Sequence, residues 1–188
     1  MNLNHSEITR QMFLSLSWEP EPHWSFYKKY LLEYGFELHQ AAEDFFNRYS
    51  DLEIYYPIPE IMQNPDFQNQ LLESGIRDEA QIQEMLDEWY QQSFTFGTTD
   101  IQYAKIYGIN LREYYEWENK QFLPVGSLDI QYGQNPVWSL VYLSKEREVL
   151  IPDLSTQEAK LRYASPDIFF GKIAEEFVLG KRCLFDLG

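Results

Sequence analysis

Four runs decide the fold: Phe122-Leu-Pro-Val-Gly-Ser127, Val137-Trp-Ser-Leu-Val-Tyr-Leu143, Glu148-Val-Leu-Ile-Pro-Asp-Leu154 and Ser165-Pro-Asp-Ile-Phe-Phe170. The 137–143 run is apolar, β-branched and aromatic, and turn-forming residues bound it, as expected of a buried strand. A second strand is expected over 149–154, and the polar link Ser144 to Glu148 suits a hairpin. Ser165 is an N-cap and Pro166 fits the first helical position, whose N–H has no intrahelical acceptor. Phe169, Phe170, Ile173, Ala174 and Phe177 then share one helix face, and Gly180 ends the helix. The central unit is therefore a hairpin with a C-terminal amphipathic helix laid on its sheet.

Working outward, Ile8, Met12, Phe13 and Leu16 predict a first helix, broken by the prolines of Trp18-Glu-Pro-Glu-Pro22. Phe26, Tyr27, Tyr30, Leu31 and Tyr34 mark a second, stopped by Gly35. Ala41, Ala42, Phe45, Phe46 and Tyr49 mark a third. Leu52 to Tyr56 reads as a strand closed by Pro57. Residues 94–97 read as another. Residues 57–92 read as a helical insertion, with one helix after Asn64-Pro65 and another after Asp78. The second has the apolar stripe Ile82, Met85, Leu86, Trp89 and Tyr90. A helical stretch is expected from Thr99 or Asp100, restarting at Asn110 with Tyr114, Tyr115 and Trp117. Residues 127–133 read as a loop or short strand holding Asp129 and Tyr132.

The 188 residues suit one domain with a real core, and the 17% aromatic content argues for a packed globule. The net charge of −15 disfavours direct contact with nucleic acid and suits a basic partner. Cys183 is the one cysteine, so no intramolecular disulfide can form, which fits a reducing cytoplasm. The chain does not open on a secretory leader pattern, and no apolar run approaches a membrane span, so no membrane association is expected.

Catalytic signatures do not emerge. There is no phosphate-binding glycine loop, dinucleotide turn or nucleophile elbow. His5, His23 and His39 lack partners at metal-ligand spacing. Adjacent carboxylates such as Asp87 and Glu88 diverge by roughly 100° on a helix, so they do not converge as an acid–base pair. No catalytic residue, metal or cofactor is expected. The insertion concentrates charge: Glu60, Asp66, Glu73, Asp78, Glu79, Glu84, Asp87 and Glu88 stand against Arg77 alone.

The chain resembles the SUKH superfamily, specifically its third family of bacterial immunity proteins. The resemblance rests on Ser17-Trp18-Glu-Pro20, Tyr30-Leu-Leu-Glu-Tyr-Gly35, Ala41-Ala-Glu-Asp-Phe-Phe46 and Leu52-Glu-Ile54. It continues in Leu123-Pro-Val-Gly126, the two strands and the terminal helix, covering roughly 17–56 and 94–180. The chain departs from the family pattern in Ser50-Asp51-Leu52, in His23 and in a hairpin turn without glycine. The resemblance implies an α+β fold with a single mainly antiparallel sheet wrapped by helices. It also implies a non-enzymatic, cytoplasmic binding protein that neutralises a polymorphic toxin, commonly a nuclease. Asp66, Glu73, Asp87 and Glu88, with Asp129 and Tyr132, are the expected partner-binding residues. Two other readings stand beside it: a SUKH-type regulatory or scaffolding adaptor, and a small carboxylate-dependent hydrolase.

Overall fold

The computed structural model describes residues 5–19, 24–59, 61–97, 106, 110–132, 135–152 and 159–181. The fold is α+β, with one antiparallel sheet of seven strands and, among the described residues, six α-helices. The helices are α1 (His5–Ser15), α2 (Trp24–Glu33), α3 (Gln40–Tyr49), α4 (Pro65–Ser74), α5 (Glu79–Trp89) and α6 (Pro166–Leu179). The strands are β1 (Leu52–Pro57), β2 (Tyr90–Phe96), β3 (Glu116–Trp117), β4 (Lys120–Tyr132), β5 (Asn135–Ser144), β6 (Val149–Pro152) and β7 (Ala159–Tyr163). Their order is β1-β2-β4-β5-β6-β7, and β3 pairs with the start of β4. No helix among the described residues is long and apolar enough to cross a membrane.

The C-terminal helix forms as its sequence dictates. The Ser165 hydroxyl accepts the Ile168 N–H, Pro166 opens the first turn, and Gly180 leaves it in the left-handed conformation at φ 62°. Phe169, Phe170, Ile173 and Ala174 are fully buried. Phe169 meets Phe94 at 5.6 Å and Tyr163 at 5.3 Å, ring centre to ring centre, on the sheet. Phe170 turns toward the helices and meets Tyr49 at 4.3 Å and Phe13 at 5.8 Å. Trp18 joins this cluster over Phe13 at 5.6 Å, which explains the apolar anchor in its proline-flanked run.

Several elements differ from the sequence expectation. Tyr90 is the first residue of β2 and pairs with Tyr132, although it continues the helical stripe of α5. The strand expected at 94–97 thus begins at Tyr90 and ends at Phe96. Residues 111–115 form turns, not a restarted helix, and Glu118 and Asn119 then adopt φ of 50° and 62° to fold β3 back on β4. Of the loop or short strand expected at 127–133, the strand is found, as the continuation of β4 through Tyr132. β7 pairs with β6 in register Val149↔Tyr163 to Ile151↔Leu161 and has no counterpart in the sequence reading. Of the helix expected after Thr99, Ile106 is described and is helical and exposed, while the remainder up to 109 and Cys183 lie outside the described residues.

β4 runs through Pro124 and Gly126 because a bulge at that point absorbs the irregularity in its pairing with β5. Gly126 is required by a close approach. A Cβ there would fall on the Thr95 carbonyl oxygen and lie 2.7 Å from the Phe96 ring. The Pro-Val-Gly run therefore marks where β4 crosses tightly over the end of β2. In the β5–β6 hairpin the missing glycine is replaced by Arg147 at φ 72°.

Phe169→Ala is expected to destabilise the fold by roughly 3–5 kcal/mol, since it empties a buried aromatic site. Gly126→Ala is expected to cost about 2–3 kcal/mol through backbone overpacking. Urea unfolding of each variant measures both. A near-neutral Phe169→Ala would mean that α6 is not held by the sheet.

Candidate interaction surface

The insertion is the connection of the β1–β2 hairpin. Ile58 donates its N–H to the Tyr90 carbonyl oxygen at 2.9 Å and so closes its base. Asn64 caps α4 by accepting the N–H groups of Asp66 and Phe67, and Asp78 caps α5 by accepting those of Ala80 and Gln81. Gly75 ends α4 at φ 72°. Inside, Ile58, Ile61, Phe67, Leu86 and Tyr90 make a small core separate from the main one. Phe67 and Tyr90 meet edge to face at 4.7 Å, and the Tyr90 hydroxyl donates to Gln70. Trp89, expected in the docking stripe, is 39% exposed, and Leu72 is 75% exposed.

Asp66, Glu73, Asp87 and Glu88 are all exposed on this insertion. Asp87 accepts a hydrogen bond from Gln83 Nε2 at 2.8 Å, and Glu88 accepts one from Trp89 Nε1 at 3.1 Å. Elsewhere some carboxylates lie near cations: Glu7 near Arg10, Asp44 near Arg147, Glu118 near Arg162, Glu148 near Lys120 and Asp167 near Arg48. Lys29 lies near Glu33 and Lys172 near Glu175 in the same way. None of these pairs involves a described insertion carboxylate, so Asp66, Glu73, Asp78, Glu79, Glu84, Asp87 and Glu88 keep their negative field.

Asp129 lies elsewhere. It sits in β4 opposite Ser93 of β2 and Trp138 of β5, and Ser93 in turn lies opposite Tyr55 of β1. These four residues cross one face of the sheet in a row. The next residue, Ile130, packs against the insertion's small core, so strand alternation turns Asp129 to the other face. Asp129 is exposed at its tip, yet partial burial raises its carboxyl above the ordinary aspartate value. Tyr132 ends β4 opposite Asn135, and its side chain lies outside the described residues. The structure thus separates the insertion carboxylates from Asp129.

Two buried polar groups carry no flag in the sequence. Glu176 of α6 is 2% exposed and accepts hydrogen bonds from the Tyr56 hydroxyl at 2.9 Å and Gln92 Nε2 at 2.5 Å. It faces the sheet from the position one turn after the Phe169–Ile173 pair, so it reads as core from its spacing. His39 caps α3: its Nδ1 accepts the Ala42 N–H at 3.1 Å. That bond needs an unprotonated Nδ1, and burial holds the imidazole pKa below its ordinary value. Among the described residues no group of three His, Cys, Asp or Glu side chains is placed to hold a metal ion. Comparison with known protein families, with curated proteins and with solved structures finds no match to this chain.

These environments set the pH window of stability. A histidine with a lowered folded pKa contributes stability above its unfolded value of about 6.5, and loses it as pH falls through the folded value. Burial raises Tyr49 to about 12 and lifts Tyr56, Tyr142 and Tyr163 as well. Their contribution is full below the unfolded tyrosine value of about 10 and is lost as pH rises above it. Unfolding free energy is therefore expected to fall on both sides of a plateau between about pH 6.5 and 10. The alkaline limb should lose about 1.4 kcal/mol per pH unit for each such tyrosine. His39→Asn keeps a capping acceptor without titrating, so it should flatten the acid limb below about pH 6.5. Urea titrations across pH measure both limbs.

Proposed function

We propose that this chain is a non-enzymatic immunity protein of the SUKH type, which binds a basic toxin domain and holds it inactive in the cytoplasm. The observation that carries the reading is the unneutralised acidic insertion, mounted on its own small core at one end of an antiparallel sheet. Such a surface steers a cationic partner during encounter, since exposed like charges raise the local potential by several kT. A toxin that cleaves nucleic acid has a basic site of the complementary sign. The architecture, one mainly antiparallel sheet backed by helices, is also what the SUKH resemblance implies. Trp89 and Leu72, exposed among the carboxylates, supply apolar area of the kind that anchors such interfaces.

In this reading the carboxylates set the association rate and the apolar groups set the lifetime of the complex. The experiment pairs the chain with the toxin encoded by the adjacent gene and measures association by stopped flow. Replacing Asp66, Glu73, Asp87 and Glu88 with Asn or Ser should slow association about tenfold or more at low salt. The difference should shrink as ionic strength rises. Stability should change by no more than about 0.5 kcal/mol, because all four side chains are exposed. A wild-type association rate for the quadruple variant would move recognition to the Tyr55–Ser93–Asp129–Trp138 row. Failure to bind any neighbouring toxin would favour the adaptor reading.

A further inference from the structure

At the opposite side of the helical layer, α1, α3 and α6 enclose a half-open cleft of about 740 Å³. Its accessible apolar lining is Phe13 and Ile168, beside the buried rings of Tyr49 and Phe170. Its rim carries Arg10, Arg48 and Lys172. Among the described residues of the lining, Asp167 is the one carboxylate. In a chain with 15 Lys and Arg against 30 Asp and Glu, three cations thus gather at one cleft, each with a carboxylate close by: Glu7, Asp167 and Glu175.

The cations are held loosely. Arg48 approaches Asp167 at 3.5 Å with both side chains more than half exposed. Arg10 approaches Glu7 at 3.5 Å, and Lys172 approaches Glu175 at 3.7 Å. Pairs of this length and exposure contribute little, so an incoming anion can displace them at small cost. The Arg48 guanidinium also lies 5.1 Å from the centre of the Tyr49 ring, which presents it at the mouth of the cleft. Ser6 and Thr9 add hydroxyls on the α1 side.

The geometry points to a binding site for a small amphiphilic anion, with an apolar body against Phe13 and Ile168 and a carboxylate or phosphate group between Arg48 and Lys172. The size falls in the usual range for small-molecule pockets, about 300–1,000 Å³. The site stands apart from the acidic insertion and does not depend on the toxin-binding reading. A ligand there would bridge α1, α3 and α6 and so bind the folded state alone.

The test uses the full chain and 8-anilino-1-naphthalenesulfonate, an aromatic sulfonate whose fluorescence rises on binding. Saturable binding with one site is expected. Decanoate and decyl phosphate should displace the probe, and 1-decanol should displace it much less well. The ranking of decanoate against decyl phosphate tells which anionic group the rim prefers. Arg48→Gln removes charge from an exposed position and Lys172→Gln from a half-buried one, and each should weaken the probe by about tenfold, the usual worth of a charge-assisted hydrogen bond. Thermal melts of the variants check that they are folded. The proposal is overturned by equal displacement by 1-decanol, by wild-type affinity in the double variant, or by no saturable binding at millimolar probe.

Discussion

Phe169 and Phe170 occupy consecutive positions on α6, so their side chains leave the helix about 100° apart. One reaches Phe94, Phe96 and Tyr163 on the sheet, while the other reaches Phe13, Phe45 and Tyr49 on the neighbouring helices. A single turn of one helix thereby fixes the distance between both layers. Aromatic pairs of this kind add about 0.5–1.5 kcal/mol each beyond the area they bury. They also have preferred geometries, so they position α1 and α3 as well as hold them. Both the rim of the cationic cleft and the cap at His39 sit on elements that this seam orients.

The same helix carries a polar constraint three turns of sequence logic would not reveal. Glu176 is buried where a hydrophobic residue would pack, and its acceptors are satisfied by Tyr56 on β1 and Gln92 on β2. A buried carboxylate is costly without such partners. Its bonds therefore act as a register pin, joining the C-terminal half of α6 to the two strands from which the acidic insertion projects. Aromatic packing sets the separation of the layers, and this hydrogen-bonded carboxylate sets where along the sheet the helix lies.

Where local and tertiary demands agree, the sequence is legible. Ser165, Pro166 and Gly180 bracket α6, and Asn64, Gly75 and Asp78 bracket the insertion helices, because capping is a short-range matter. Tyr90 misleads because its helical spacing is real but its backbone is claimed by pairing with β4. Pro124 and Gly126 look like an interruption, yet a bulge carries the strand through them. The five residues of β7 alternate too briefly to stand out, and Tyr114, Tyr115 and Trp117 mimic a helix face until Glu118 and Asn119 reverse the chain. The acidic character of the candidate surface is visible in composition alone. Its division between two faces is not, because that depends on which way Asp129 and Ile130 point once β4 is paired. The cationic cleft is equally hidden, since Arg10, Arg48 and Lys172 are distant in sequence.

The small core beneath the insertion has a dynamic consequence. Five buried side chains, with Leu71, Ile82, Met85 and Ile130 at its margin, hold two helices that otherwise stand largely in solvent. Cooperative units with so little buried apolar contact open at a fraction of the global unfolding free energy. The six-residue register between β1 and β2 persists without them, because its own hydrogen bonds and the main core secure it. Amide exchange in α4 and α5 can therefore run far ahead of exchange in the sheet. The insertion becomes a separately breathing lobe, able to change shape while the body that carries it stays closed.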